Sequence, residues 1–161
     1  MVETIIPHVA IHTLTFSRES LMACWDECVP LFDQHRQEMV IDPRRRFSPD
    51  REQYRRGEAS GVFRLYTARN TDGAIVGYTC AVVFPSLLFF GEYEAGVHVL
   101  WLHPAYRMGW NGIRLIRFCE RELKEEGVTF ATLHALIGKR EGRLFRKLGW
   151  TPTHEELHKL L

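Results

Sequence analysis

The chain has 161 residues, 45% hydrophobic and 25% charged, a balance that fits one soluble globular domain over residues 1–161. A formal net charge of +1 argues against nucleic acid or an anionic membrane as partner. No apolar run is long enough for a transmembrane helix, and Met1-Val2-Glu3-Thr4 does not open a secretory signal, so the cytoplasm is the expected location.

Val9 to Thr15 alternates and is rich in β-branched residues, which predicts a first strand. Ser17 is expected to cap a helix with Leu21, Met22, Trp25 and Cys28 on one side. Pro30 should break or kink it before the pattern resumes from Phe32 to Met39. Asp42 to Arg46 reads as a loop, and Ser48-Pro49 as the start of a short polar helix ending near Gly57. Val62–Ala68 and Ala74–Phe84 read as strands joined by the tight turn Asn70-Thr71-Asp72-Gly73, an antiparallel hairpin. A further strand is expected from about Ala95 to Leu102, a loop from Arg107 to Gly112, and an amphipathic helix closed by Gly127. Val128–Leu136 reads as a strand, Arg140–Leu148 as a helix, and His154–Leu161 as a strand or a short helix. The order mixes antiparallel hairpins with one strand–helix–strand crossover, a mixed α/β (α+β) arrangement in one domain.

The four cysteines, Cys24, Cys28, Cys80 and Cys119, lack the paired spacing of a metal site and read as reduced, partly buried thiols. The eight histidines are scattered, so no metal is expected.

The turn before the amphipathic helix carries the chemistry. A turn that leaves a strand and opens a helix presents unpaired N–H groups, and the helix dipole favours an anion there. Gly109 and Gly112 allow close backbone approach, and Arg107 adds a positive charge. Phosphate or pyrophosphate fits such a mouth.

Leu100-Trp101-Leu102-His103-Pro104-Ala105-Tyr106-Arg107 resembles the strand and turn that lead into the acetyl-CoA loop of the GNAT acetyltransferases. The family's loop, Arg/Gln-x-x-Gly-x-Gly/Ala, falls on Arg107 to Gly112. Leu144-Phe145-Arg146-Lys147-Leu148-Gly149-Trp150 resembles the family's Leu-Tyr-x-Lys-Leu-Gly-Phe. The chain is identified on these motifs as a compact single-domain member, of the bacterial or phage type. The resemblance implies a central, mostly antiparallel twisted sheet, a β-α-β acetyl-CoA-binding core and helices on both faces. It also implies an acetyl-CoA cosubstrate, held by Leu100, Trp101, Leu102, Arg107, Met108, Gly109, Trp110, Asn111, Gly112 and Ile113.

For mechanism the resemblance implies attack of an amine, from a small molecule or a protein, on the thioester. The family often places a glutamate a few residues before the loop; here His98 falls near that position, with Glu92 and Glu94 upstream. Three departures stand out: Trp110 where the family has its first glycine, Phe145 where many members carry a tyrosine, and Gly138 where many carry an asparagine. Tyr106 and Tyr93 are candidate replacements for the missing acid. The departures keep open a second reading, a non-catalytic acyl-CoA-binding or protein-interaction module. The cationic run Arg44, Arg45, Arg46, Arg51, Arg55 and Arg56 reads as a solvated face or an acceptor contact. Leu87 to Phe90 reads as core, as a wall of the acceptor pocket or as the contact of a homodimer.

Overall fold

The computed structural model describes residues 13–39, 45–134 and 140–153. Within them the chain forms β1 (Thr15–Glu19), α1 (Trp25–Glu38), α2 (Arg51–Ala59), β2 (Phe63–Arg69), β3 (Ile75–Pro85), β4 (Tyr93–Leu102), α3 (Asn111–Glu125), β5 (Val128–Leu133) and α4 (Arg140–Lys147). The five strands make one sheet in sequence order. β1 to β4 are antiparallel neighbours, and β5 returns parallel to β4 after the α3 crossover. The mixed fold expected from the element order is the one observed.

Helices cover both faces, as the alternation of strand side chains requires. On one face Leu65, Tyr78, Cys80 and Trp101 pack against Cys28 of α1 and Tyr54 of α2. On the other, Tyr66, Ala81, Val83 and Val97 pack against Ile116, Cys119 and Leu123 of α3 and Phe145 of α4. All four cysteines are buried free thiols.

Three local expectations differ from the structure. Ser17 lies in β1 rather than capping a helix: its hydroxyl sits 3.2 Å from that of Thr67 across the strand pair. The turn before α1 is held instead by Glu58, whose carboxylate accepts from Leu21 N at 2.7 Å and Ser20 Oγ at 2.9 Å. Pro30 does not end α1. The backbone acceptor it leaves unbonded would be Asp26 in the first turn, and Leu31 and Phe32 beyond it pack on the sheet. Ser48 does not cap α2; Asp50 does, accepting from the N–H groups of Glu52 and Gln53, where a carboxylate also meets the positive end of the helix dipole.

The β2–β3 turn forms as expected, with Asn70 Oδ1 accepting from Asp72 N and Ala74 N, and Gly73 at φ +83°. Leu87, Leu88, Phe89 and Phe90 are exposed on the β3–β4 connection, outside the core. Of the cationic run, Arg45 and Arg46 are exposed, Arg51 stacks over Trp25, and Arg55 and Arg56 hold Glu52; Arg44 lies outside the described residues. So do Val9 to His12, Gly138 and His154 to Leu161. No described helix is long and apolar enough to cross a membrane.

Candidate active site

The site begins with one extra residue in β4. Cys80 of β3 faces Val99 and the next residue, Ala81, faces Val97, so His98 is a bulge without a partner position on β3. The bulge changes which side chains face which helices. Ala95 and Val97 point to the α3 face, whereas His98 and Val99 both turn toward α1 and α2, with Trp101 after them. Gly96 makes room for the histidine: a Cβ there would stand 2.8 Å from His98 Nε2.

β5 pairs with β4 only from Tyr93 to Val97. Its last contact is His134 N donating to the Val97 carbonyl at 3.3 Å. From His98 to Leu102, β4 has no second strand beside it among the described residues, and the sheet splits there. His103 N donates toward β3, to Val76 O. The two-residue alternation therefore turns the N–H and C=O of Leu100 and Leu102 to the open edge. Arg107 Nε takes the Leu102 carbonyl at 2.7 Å, which agrees with that direction.

Beyond the strand, a short 3-10 helix (Pro104–Tyr106) leads to the loop. Gly109 sits at φ +72°, a conformation that favours glycine, and turns the chain into α3. The first intrahelical bond of that region runs from Arg114 N to Trp110 O, so the N–H groups of Asn111, Gly112 and Ile113 point out of the helix end unpaired within it. Gly112 packs close: a Cβ would lie 3.6 Å from Leu102. Asn111 is buried and donates to the Tyr106 carbonyl at 3.2 Å, fixing loop to helix. Met108 and Trp110 flank this mouth and are 62% and 72% exposed, so the indole is not part of the core.

Arg107 is directed elsewhere. Its Nη2 donates to both carboxylate oxygens of Glu38 at the end of α1, at 2.6 and 2.7 Å, and the guanidinium lies over Trp101. Trp101 Nε1 donates to the same carboxylate at 3.0 Å. These donors hold the Glu38 carboxyl below the ordinary carboxylate value. Trp101 is therefore a buried wall on the α1 side, and Arg107 fixes the end of β4 to α1.

The three candidate catalytic side chains are not brought together. His98 and Glu94 stand about 13 Å apart along the strand at the usual rise. Glu94 accepts from Ser86 Oγ at 2.6 Å. Tyr106 lies beyond the far end of β4, where Asn70 Nδ2 donates to its hydroxyl at 3.2 Å. Tyr93 is exposed at the start of β4, and Phe145 is buried in the α3-side core.

Three residues at the split were not singled out by sequence. His134 meets His98 edge to face, ring centroids 5.0 Å apart. His35 of α1 and Tyr78 of β3 share a hydrogen bond of 2.9 Å. Burial holds the His35 ring below the ordinary histidine value, and Tyr78 above the ordinary tyrosine value, so both are uncharged at neutral pH. His35, Tyr78, His98 and Val99 line a cavity of about 360 Å³ between the sheet and the α1–α2 layer. Among the described residues no cluster of three or more metal-ligating side chains occurs.

The family model described as acetyltransferase (GNAT) family matches residues 22–150. No curated protein matches the chain in sequence. An aminoglycoside acetyltransferase from an uncultured soil metagenomic sample superposes with a TM-score of 0.74 at 19% identity, over 92% of this chain and 99% of that one. A ribosomal-protein-alanine N-acetyltransferase from Brucella melitensis biovar Abortus 2308 gives 0.69 at 19% identity, over 92% and 99%. Glucosamine-6-phosphate N-acetyltransferase from Arabidopsis thaliana gives 0.69 at 12% identity, over 92% and 98%. At these identities the likeness is one of fold.

Proposed function

The chain belongs to the acetyltransferase (GNAT) family, and we propose that it transfers an acetyl group from acetyl-CoA to a primary amine. The observation that carries this reading is the split itself. Beyond the His98 bulge, an edge of β4 with no second strand among the described residues runs to a glycine-turned helix N-terminus, with a cavity on the other side of the bulge.

The residues suit the cosubstrate. N–H groups of Asn111, Gly112 and Ile113, with the α3 dipole behind them, are placed for a pyrophosphate. The Leu100 backbone offers strand-like pairing to an extended amide-bearing arm. Met108 and Trp110 stand at the rim, where apolar surface can lie against a bound nucleotide. Bound acetyl-CoA supplies a thioester carbonyl and a thiolate leaving group. An N–H of the open β4 edge is the natural donor to that carbonyl oxygen as charge gathers on it.

The amine must lose a proton before it attacks. His98 stands where the edge meets the cavity and is exposed, and we assign it as the general base. Phe145 supplies no proton to the departing thiolate; a thiol with a pKa of about 8.5 leaves without full protonation at some loss of rate. Arg107 acts as a positioning residue through Glu38 and the Leu102 carbonyl.

Titration calorimetry with acetyl-CoA, followed by thiol release in the presence of amines, tests the reading. Binding and amine-dependent thiol release are expected. Failure to bind would remove the cosubstrate assignment. Binding without release to any amine would favour the second reading, a non-catalytic acyl-CoA-binding module, for which the buried Phe145 is the supporting observation.

A further inference from the structure

We infer that the acceptor is a primary amine carried on an aromatic body, selected by the cavity beneath α1 and α2. This rests on the acetyltransferase reading above and names its substrate class.

The walls of the cavity are aromatic and in mutual contact. Phe32 meets Tyr78 edge to face at 4.9 Å, Tyr54 meets Phe63 at 5.3 Å, and Phe32 lies 6.3 Å from Tyr54. Edge-to-face walls of this kind favour another ring between them. At about 360 Å³ the space lies at the small end of ligand pockets, enough for one or two fused rings and a short arm. His98 lies at the end next to the sheet split, so an amine on a short arm reaches the base while its ring stays among the aromatic walls.

Charge argues in the same direction. No described lining residue is acidic. The charged one is Arg36, whose guanidinium pairs with Asp33 and lies 5.6 Å over the Phe47 ring at the rim. Four carboxylates of the surrounding helices face other groups. Asp33 also accepts from Gln37, Glu38 is bound by Arg107 and Trp101, Asp50 caps α2, and Glu52 holds Arg55 and Arg56. A polyamine or an amino sugar with several ammonium groups would leave charges in an apolar cavity without counter-ions among its described lining residues, which is costly. A monoamine on a ring brings one charge and gives up that proton at His98. His35 stays uncharged beside it and adds no repulsion.

The test compares kcat/KM for 2-phenylethylamine and tryptamine with that for spermidine and kanamycin, with acetyl-CoA binding measured separately by calorimetry. The aromatic amines should lead by at least roughly tenfold, the scale on which an apolar pocket discriminates. Phe47→Ala, a change at the half-buried rim, should raise KM for the aromatic amines and leave kcat in place. Met39→Glu, at an exposed position on the same rim, should narrow the lead by bringing in a carboxylate. Equal or better turnover of spermidine or kanamycin, or no turnover of either class by a protein that binds acetyl-CoA, would overturn the inference while the cosubstrate assignment stands. Failure to bind acetyl-CoA would overturn both.

Discussion

Gly96→Ala tests whether the placement of the His98 ring sets the rate. Gly96 and His98 lie two residues apart on the same side of β4, and the ring occupies the space a side chain at 96 would need. An alanine Cβ would meet Nε2 at 2.8 Å and Cε1 at 3.3 Å. Comfortable contact is about 3.5 Å, so the ring must retreat by roughly 0.7 Å or rotate. Only the end of a side chain moves, and Gly96 is not among the residues of positive φ, so the backbone accepts alanine. Stability should stay level or rise by about 0.5–1 kcal/mol, the usual gain when glycine leaves a strand. Rate should not stay level. Misplacement of a reacting group by about 1 Å can cost about a hundredfold, and loss of a general base about a hundred- to ten-thousandfold. The expected result is a fall in kcat/KM of about ten- to a hundredfold with a melting temperature unchanged or about 2–4 °C higher, read by thiol release and thermal unfolding. In a His98→Ala background the same substitution should cost nothing further, because the two changes act through one ring. Unchanged turnover in Gly96→Ala, or full activity in His98→Ala, would refute the assignment of His98.

Arg107→Ala should lower stability by about 1 kcal/mol, the scale of a half-exposed pair, and leave the KM for acetyl-CoA within a few fold, since its guanidinium faces Glu38; a KM increase above about a hundredfold would show that it binds phosphate instead. Tyr66→Phe should stabilise by about 1 kcal/mol in denaturant titration, because the Tyr66 hydroxyl is buried with no hydrogen-bond partner among the described residues. Stability should fall as pH drops below about 6.5, the ordinary histidine value. There the unfolded chain protonates His35 while burial keeps the folded ring neutral, so the loss continues until the folded value is passed. His35→Gln should flatten that slope in chemical denaturation at pH 5 and 7. Glu19 and Glu38, held low by Arg69 and Arg107, lose their contributions only at more acidic pH.

The parts of the fold legible in the sequence are those set by neighbours in the chain. The β2–β3 hairpin follows from β-branched runs around Asn70-Thr71-Asp72-Gly73, and α3 from its apolar stripe and Gly127 at its end. What was hidden depends on partners far away in sequence. Ser17 has the chemistry of a cap, and only Thr67, fifty residues on, makes it a strand residue. The ion pair of Arg107 with Glu38, sixty-nine residues earlier, has no local signal in the sequence. His35 and Tyr78 are forty-three residues apart, and no local pattern joins them. The backbone of the turn before α3 was readable because a strand, a left-handed glycine and a helix start are consecutive. The acceptor side was not, because its walls come from α1, α2, β2 and β3.

The bulge explains why these two halves meet. If the same residues paired without a bulge, Val97-His98-Val99 would continue a plain alternation, with Val97 and Val99 on the α3 face and only His98 toward α1. The bulge turns both His98 and Val99 to the acceptor side and carries Trp101 with them. The pairing with β5 ends at the same point, at Val97. On the proposed reading, the edge offered to acetyl-CoA and the side chain offered to the amine therefore meet at the same position along the strand. A cavity without the open edge would bind an amine with nothing to receive it, and an open edge without the bulge would leave His98 toward α1 but turn Val99 and Trp101 to the α3 face. Deleting His98, in contrast with replacing it, should restore the alternation, leave Val99 opposite Cys80 on the α1 side and abolish turnover even when imidazole is added. His98→Ala, which keeps the bulge, should recover part of its rate with added imidazole; rescue of the deletion to the same level would show that the bulge has no part in aligning the two sites.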